Sequence, residues 1–517
     1  ALSTSVDGDS NTAIGYKALE DFEADTDGHG NNTAIGASAM LNASTGTGNT
    51  AVGANAIGLG VTTGNNNVAV GIQAGEDLTS GHSNALLGGF AGRNITTGLQ
   101  NVAIGYGTLA TNIDGDSNTA IGFKALEDFE ADADGHGNNT AVGSSSMSNA
   151  TTGTENTAVG ASSMADGAIT GDFNAAFGNN AGKSLTSGAF NTLLGGNAGI
   201  AITTGQSNVI VGLNAGDALV EGSNNVAVGQ SALSSENAHG RNTAIGHQTL
   251  STLDAGADAY NTAVGYQAGT AVTTGVQNTI MGSLAGDALT TGSYNVAMGH
   301  NSLSATTVGA LNTAIGNFAL SSNILTNGNV AIGQQALQVA VGDGSTNNQI
   351  TYNTAVGYFA GKAITTAINN TLIGGLAGDA LTTGASNTLV GKNAGGALIT
   401  GSSNTVLGHG ALATEDGHGF NVAIGTSSLA VQNAGASGLN VAVGHNSGLA
   451  VTQGVKNTLI GAYAGDVITT GDNNIIIGHE AAASAVGVDN TTVIGTATTT
   501  NAVVHGLRTP LTSAAGN

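Results

Sequence analysis

The chain has no cysteine, no tryptophan and one proline, Pro510, and aromatic residues make up only 3% of its 517 residues. Without thiols there are no disulfides and no thiolate metal sites. Charged residues are 8%, far below the quarter or so of ordinary domains. Only nine are basic against 33 acidic, a formal charge of −24. Nucleic-acid phosphate would be repelled, and no Lys/Arg cluster offers it a footprint. No apolar run approaches about 18 residues, so membrane insertion is not expected. The opening "ALSTSVDGDS" has neither a basic region nor a hydrophobic core, so no signal peptide is read there.

What the chain has is glycine, 84 residues, and a short word repeated. NTAIG and close variants occur 28 times, and 20 of the 27 intervals are 17 residues. Numbered from its Asn, the word reads Asn11 at position 1, Ile14 at position 4 and Gly15 at position 5. The same three positions are held by Asn118, Ile121 and Gly122, by Asn261, Val264 and Gly265, and by Asn457, Ile460 and Gly461. Short Val/Ile/Thr words bounded by Gly and Asn read as strands. A 17-residue unit is too short for a helical pair and fits one coil of a β-solenoid, expected to carry two short strands and two turns. The fold class is therefore all-β, a parallel solenoid of about 28 coils over residues 11–495, with a lead-in at 1–10 and a transition segment at 496–517. At about 4.8 Å per coil it would extend roughly 130 Å.

Two further regularities support the reading. Position 9 is either large (Leu19, Met40, Leu109) or Gly (Gly75, Gly92, Gly199), and where it is Gly, position 12 is aliphatic (Leu78, Ile95, Ile202). Each coil thus supplies a bulky group to the core from one of two places, as close packing requires. A column of Asn can hydrogen-bond along its length, and Gly permits positive φ and close backbone approach. Position 3 is Ala in most copies and Leu, Ile or Val in others, so the strand is apolar on both faces. One face lines the interior and the other is expected to bury against a second chain, small Ala letting the backbones approach.

The words NTAIG, NTAVG and NVAVG at fixed spacing resemble the head repeats of YadA-like trimeric adhesins and the NTAIG-type repeats of bacteriophage tail fibres. The resemblance covers about Asn11 to Gly495 and implies a side-by-side homotrimer on a cell or virion surface, used for attachment. Adhesin heads use a 14-residue spacing, whereas this chain uses 17. No neck, coiled-coil stalk or membrane anchor is read in the sequence.

Chemistry is sparse. Acidic residues cluster in two longer intervals, Glu20, Asp21, Glu23, Asp25, Asp27 and Glu127, Asp128, Glu130, Asp132, Asp134. With Asp7, Asp9, Asn11 and their echoes Asp114, Asp116, Asn118, these loops could offer oxygens to Ca2+, although the Gly and distal Glu of an EF-hand do not follow. Otherwise no cofactor is expected. Position 6 carries Tyr16, Tyr106, Tyr266, Tyr358, His247, His300, His409 and His445, a stripe where rings could meet a glycan or protein partner. The plainer account is polar turn filler, since Ala, Gly, Ser and Asn interrupt the stripe. No HxH or HExxH, no phosphate loop, no Cys nucleophile and no GxSxG occurs, and no His–carboxylate cluster of metal spacing is read. The expectation is a non-enzymatic extracellular attachment fibre whose partners are its own copies and a cell-surface glycan or protein receptor. A self-assembling filament subunit is the alternative. Ice binding and polysaccharide cleavage stand behind both.

Overall fold

A computed structural model describes residues 9–22, 30–129, 137–341 and 349–499. Among them there is no helix, and none therefore long and apolar enough to cross a membrane. The chain is a parallel β-solenoid that divides into two compact units, Ala1–Leu284 and Ala285–Asn517. In each, the three-residue strand at positions 2–4 of one coil pairs in parallel with that of the next. In the first unit Thr12, Ala13 and Ile14 lie opposite Thr33, Ala34 and Ile35, and the ladder continues in the same register through Thr262–Val264 and Thr279–Met281. In the second unit the ladder runs from Val296–Met298 to Thr492–Ile494. Lengthened coils do not shift it: Val330 pairs with Thr354 across 24 residues.

The register follows from the Asn column. Asn191 donates its backbone N–H and its Nδ2 to Asn174 Oδ1 at 3.1 and 3.0 Å. Its Nδ2 also donates to the Gly205 carbonyl at 2.9 Å, while its own Oδ1 accepts from the N–H and Nδ2 of Asn208. Asn118, Asn261 and Asn457 sit in the same relay, their Oδ1 atoms accepting from the N–H groups of Asn139, Asn278 and Asn474. Asn11 accepts from Asn32 in the first coil. Apart from the half-buried Asn11, whose Nδ2 has no partner, these side chains are buried, and their amides are matched by geometry that the same residue one coil on supplies.

The position 5 glycine has a separate cause. Gly15, Gly122, Gly265 and Gly461 have φ between 130° and 139°. A Cβ on any of them would lie 2.5 or 2.6 Å from the carbonyl oxygen of the equivalent Gly one coil on. Both the dihedral and the space exclude a side chain.

Three expectations are corrected. The second half of the coil is not a regular strand: positions 7 and 9 are left-handed (Lys17 φ 55°, Leu19 φ 53°, Ser38 φ 55°, Met40 φ 50°), which breaks the pleat. Coils still bond there, Leu19 N–H to the Ala39 carbonyl at 3.0 Å. The two faces of the first strand are also the reverse of the simple expectation. Position 3 is the interior row, fully buried from Ala34 to Ile476, while the large residue at position 4 points outward: Ile14 is 58% exposed, Ile121 36% and Ile460 39%, with Val264 half-buried. Ala at position 3 makes room for Leu or Met at position 9, because the interior is a single layer deep.

The third correction concerns what fills that layer when position 9 is Gly. Leu19 with Phe22, and Leu250 with Leu253, occupy positions 9 and 12 of the same coil together, so these two places do not exclude each other. Position 12 does fill the space beside some of these glycines, Ile202 Cδ1 lying 2.6 Å from a Cβ on Gly199, and position 3 fills it as well. A Cβ on Gly182 would sit 2.6 Å from Leu193 Cδ1, on Gly92 2.7 Å from Leu86 Cδ2, and on Gly361 2.6 Å from Leu372 Cδ1. A large position 3 therefore takes the volume vacated at position 9 of its own coil or the one before.

Two outcomes are expected. Gly195→Ala, whose Cβ would lie 2.6 Å from the Gly212 carbonyl oxygen, lowers the denaturation midpoint far more than Gly256→Ala, which meets nothing within 4 Å. Gly182→Leu destabilises by about 1–3 kcal/mol through overpacking, and adding Leu193→Ala recovers most of the loss; denaturant titration of the single and double variants measures both.

Candidate functional site

The turn after the position 5 glycine projects position 6 outward. Seven of the eight ring positions named from the sequence (Tyr16, Tyr106, Tyr266, Tyr358, His300, His409, His445) are exposed, His247 being half-buried. The fold joins some of them to partners that the sequence pattern did not single out. His247 stacks on Tyr266 at 5.4 Å. Tyr106 stacks on Phe123 at 5.9 Å and meets the edge of Phe90 at 5.3 Å. His300 contacts Phe318, Tyr358 contacts Phe359, and His445 contacts Tyr463. Tyr16 and His409 pair with no other ring among the described residues. Phe90, Phe318, Phe359 and Tyr463 all occupy position 7, whose left-handed backbone swings the side chain alongside position 6. An aromatic at 7 near an aromatic or His at 6 was the available signal.

The most developed group is Phe90–Tyr106–Phe123. It borders a surface depression of about 290 Å3 lined by Phe90, Arg93, Tyr106, Gly107, Lys124 and Glu127, among others. Gly107 leaves the space beside the Tyr106 ring open, the nearest atom to a Cβ there being Lys124 Cγ at 3.6 Å. Arg93 lies 5.8 Å from the Phe90 ring and is held by Glu76 at 2.9 Å, and Lys124 lies 5.9 Å from the Phe123 ring and is held by Glu127 at 3.0 Å. Ring faces flanked by fixed donors and acceptors can hold a flat, hydroxyl-bearing ligand such as a sugar ring.

The acidic loops are described only in part: Asp7, Glu23, Asp25, Asp27, Glu130, Asp132 and Asp134 lie outside the described residues. Of the rest, Glu20 and Glu127 pair with Lys17 and Lys124 at 3.0 Å, and Asp116 Oδ1 accepts the Leu99 N–H at 2.7 Å. No group of three carboxylates from these loops converges among the described residues.

Two His–carboxylate groups do converge, correcting the reading that none occurs: Glu236, His239 and Asp254 in the first unit, and Glu415, Asp416 and His418 in the second. Both Glu stand at position 12 and both His at position 15. In two other coils position 12 holds a buried Asn that caps this turn: Asn112 Oδ1 accepts the Gly115 N–H at 2.9 Å and Asn323 Oδ1 the Thr326 N–H at 3.1 Å. Glu236 and Glu415 make the same bond to the N–H groups of His239 and His418, at 3.1 and 3.0 Å. Burial pushes the Glu236 carboxyl above its ordinary value, opposed by the His239 and Ala255 N–H groups and the His239 ring.

Burial also raises the carboxyls of Asp217, Asp287 and Asp379, which share position 10. The folded state then holds a proton more tightly than the unfolded chain. Their effect on stability is most favourable below the ordinary aspartate pKa and is lost as pH rises through the raised folded value, with no change above it. Thermal unfolding of wild type against Asp217→Asn is expected to diverge over that window, the wild type falling behind as pH increases. Parallel curves would show that Asp217 is not desolvated.

No protein-family model matches the chain, and a search of curated proteins finds no relative of it.

Proposed function

We propose that the chain is a non-enzymatic extracellular fibre protein that attaches a cell or virion to a surface, its copies packing through the outward strand rows and its exposed ring groups meeting a glycan or protein receptor. The observation that carries this reading is the outward face of the strand. Positions 2 and 4 are Thr, Val, Ile, Leu, Ala, Met or Phe throughout and never charged. At position 4, Leu194 and Leu407 are each 49% exposed. Position 2 is most often Thr, but position 4 is a large apolar residue in every coil, and an uninterrupted, part-exposed apolar row of this kind favours burial against another surface. Like copies suit it best, because the rows repeat at the coil spacing and can pack in register with themselves. The Phe90–Tyr106–Phe123 group supports a receptor role, since Tyr106 and Phe123 present exposed rings and Phe90 and Tyr106 line a surface depression.

Sedimentation of the purified chain is expected to give a discrete oligomer, and Leu194→Lys with Leu407→Lys to convert it to monomer with unchanged circular dichroism. Tyr106→Ala is expected to reduce binding to a glycan array at least tenfold and leave the oligomer intact. A wild-type monomer that binds no surface glycan or cell protein would end this reading.

A further inference from the structure

We propose that Glu236, His239 and Asp254 form a site for one divalent transition-metal ion of the Zn2+ class, stapling one coil to the next. Their ligand atoms lie within 4.8 Å of one another. Glu236 and His239 belong to one coil and Asp254 to the following one, which is two residues longer than the standard 17. Glu236 is completely buried, yet its Oε2 has no hydrogen-bond partner, and neither has the buried Nδ1 of His239 beside it. The Ala255 N–H is directed at the same carboxylate and, like that of His239, favours its ionised form. A buried carboxylate oxygen and a buried ring nitrogen left unpaired together are costly, and each such pair in a folded protein calls for a partner. His239 Nδ1 stands 3.5 Å from Glu236 Oε1 without forming a hydrogen bond. Two ligands of a tetrahedral ion with bonds of about 2.1 Å are separated by about 3.4 Å. The exposed Asp254 carboxylate needs only a side-chain rotation to close the third position, and water completes the shell.

The second unit supplies an internal comparison. At the same place in its coil, Glu415 is also completely buried and is also followed by a 19-residue coil. There the next coil offers Gln432 at position 12, whose Nε2 donates to Glu415 Oε2 at 3.4 Å, and the Ala434 N–H donates to the same oxygen at 3.2 Å. Glu415 Oε1 accepts the N–H groups of Gly417 and His418 and lies 3.3 Å from His418 Nδ1. That carboxylate is satisfied by protein. In the first unit the residue equivalent to Gln432 is Leu253, fully buried and with no donor, and the residue equivalent to Asn433 is Asp254, a second carboxylate. Losing a donor and gaining a negative charge at the same two places leaves an unmatched carboxylate oxygen that a cation completes. An imidazole with two carboxylates selects Zn2+, Cu2+, Ni2+ or Co2+ over the all-oxygen preference of Ca2+ and Mg2+.

The test is equilibrium dialysis of the full chain, stripped with chelator, against Zn2+ at about pH 7.5, since metal binding competes with protons for its ligands. Exposed histidines elsewhere also bind weakly, so the readout is the tightest equivalent. Wild type is expected to bind one Zn2+ tightly, with millimolar Ca2+ failing to compete. Glu236→Gln and His239→Ala lose that equivalent, and Asp254→Asn, at an exposed position that leaves folding intact, weakens it at least tenfold. Glu415→Gln keeps it. A wild type that binds no Zn2+ below about 100 μM, or an Asp254→Asn variant with undiminished affinity, would overturn the site; so would loss of the same equivalent in Glu415→Gln.

Discussion

The Asn relay is the contact on which the rest of the structure depends. A strand of three residues has too few ladder bonds to fix its own register, and a slip of one residue would exchange its two faces. The side-chain amide removes that ambiguity. Its Oδ1 accepts from the backbone N–H of the Asn one coil on, as Asn191 accepts from Asn208, and its Nδ2 closes the turn at the end of its own coil on the Gly205 carbonyl. The relay therefore fixes both where a coil starts and where it ends. Between those two points the chain can be lengthened, and Val330 meets Thr354 in register across seven extra residues because Asn353 still donates to Asn329 Oδ1 at 3.1 Å.

With the start and close of each coil settled by the relay, the interior is only one side chain deep, and this explains both what was legible in the sequence and what was not. The 17-residue period, the parallel all-β architecture and the constancy of Asn and Gly follow from spacing alone, since each is a property of every coil. Which face of the strand is internal does not. Both faces are apolar, so alternation carries no sign, and size is misleading: the largest residues stand at position 4, outside, and the smallest at position 3, inside. Contacts such as Leu193 with Gly182 in the coil before, or Leu86 with Gly92 in the same coil, identify position 3 as the inner row. That correlation links two positions of the repeat, and reading each position by itself does not reveal it.

The same limit governs the candidate sites. The position 6 rings are visible in the sequence, but Phe90 and Tyr463 are not, because their orientation comes from a left-handed backbone at position 7 that residue type does not announce. Glu236 and Glu415 are not singled out by the repeat pattern, which leaves position 12 variable. Their burial follows from standing where Asn112 and Asn323 stand, as caps of an inward turn, and a carboxylate serves there because it accepts the same backbone N–H. Substituting Glu for Asn keeps the cap and adds an acceptor oxygen. The coil that follows decides whether that oxygen is matched, by Gln432 in one unit and by nothing from Leu253 in the other.

Placement of charge bears on association between copies. A formal charge of −24 on every chain opposes their approach, yet positions 2 and 4 carry none of it in any of the 28 coils. Among the described residues the acidic groups sit in turns and lengthened loops, such as Glu20 and Asp21, Asp254 and Asp258, and Asp416. At physiological ionic strength such charges are screened beyond about 8 Å. Strand rows brought together would bury Thr methyls, Val and Ile with no ionised group to desolvate, while the turns that carry the repulsion stay in solvent. Charge confined in this way raises solubility without guarding the face most suited to packing, and it makes any association through that face only weakly dependent on salt, in contrast to contacts built through the acidic loops.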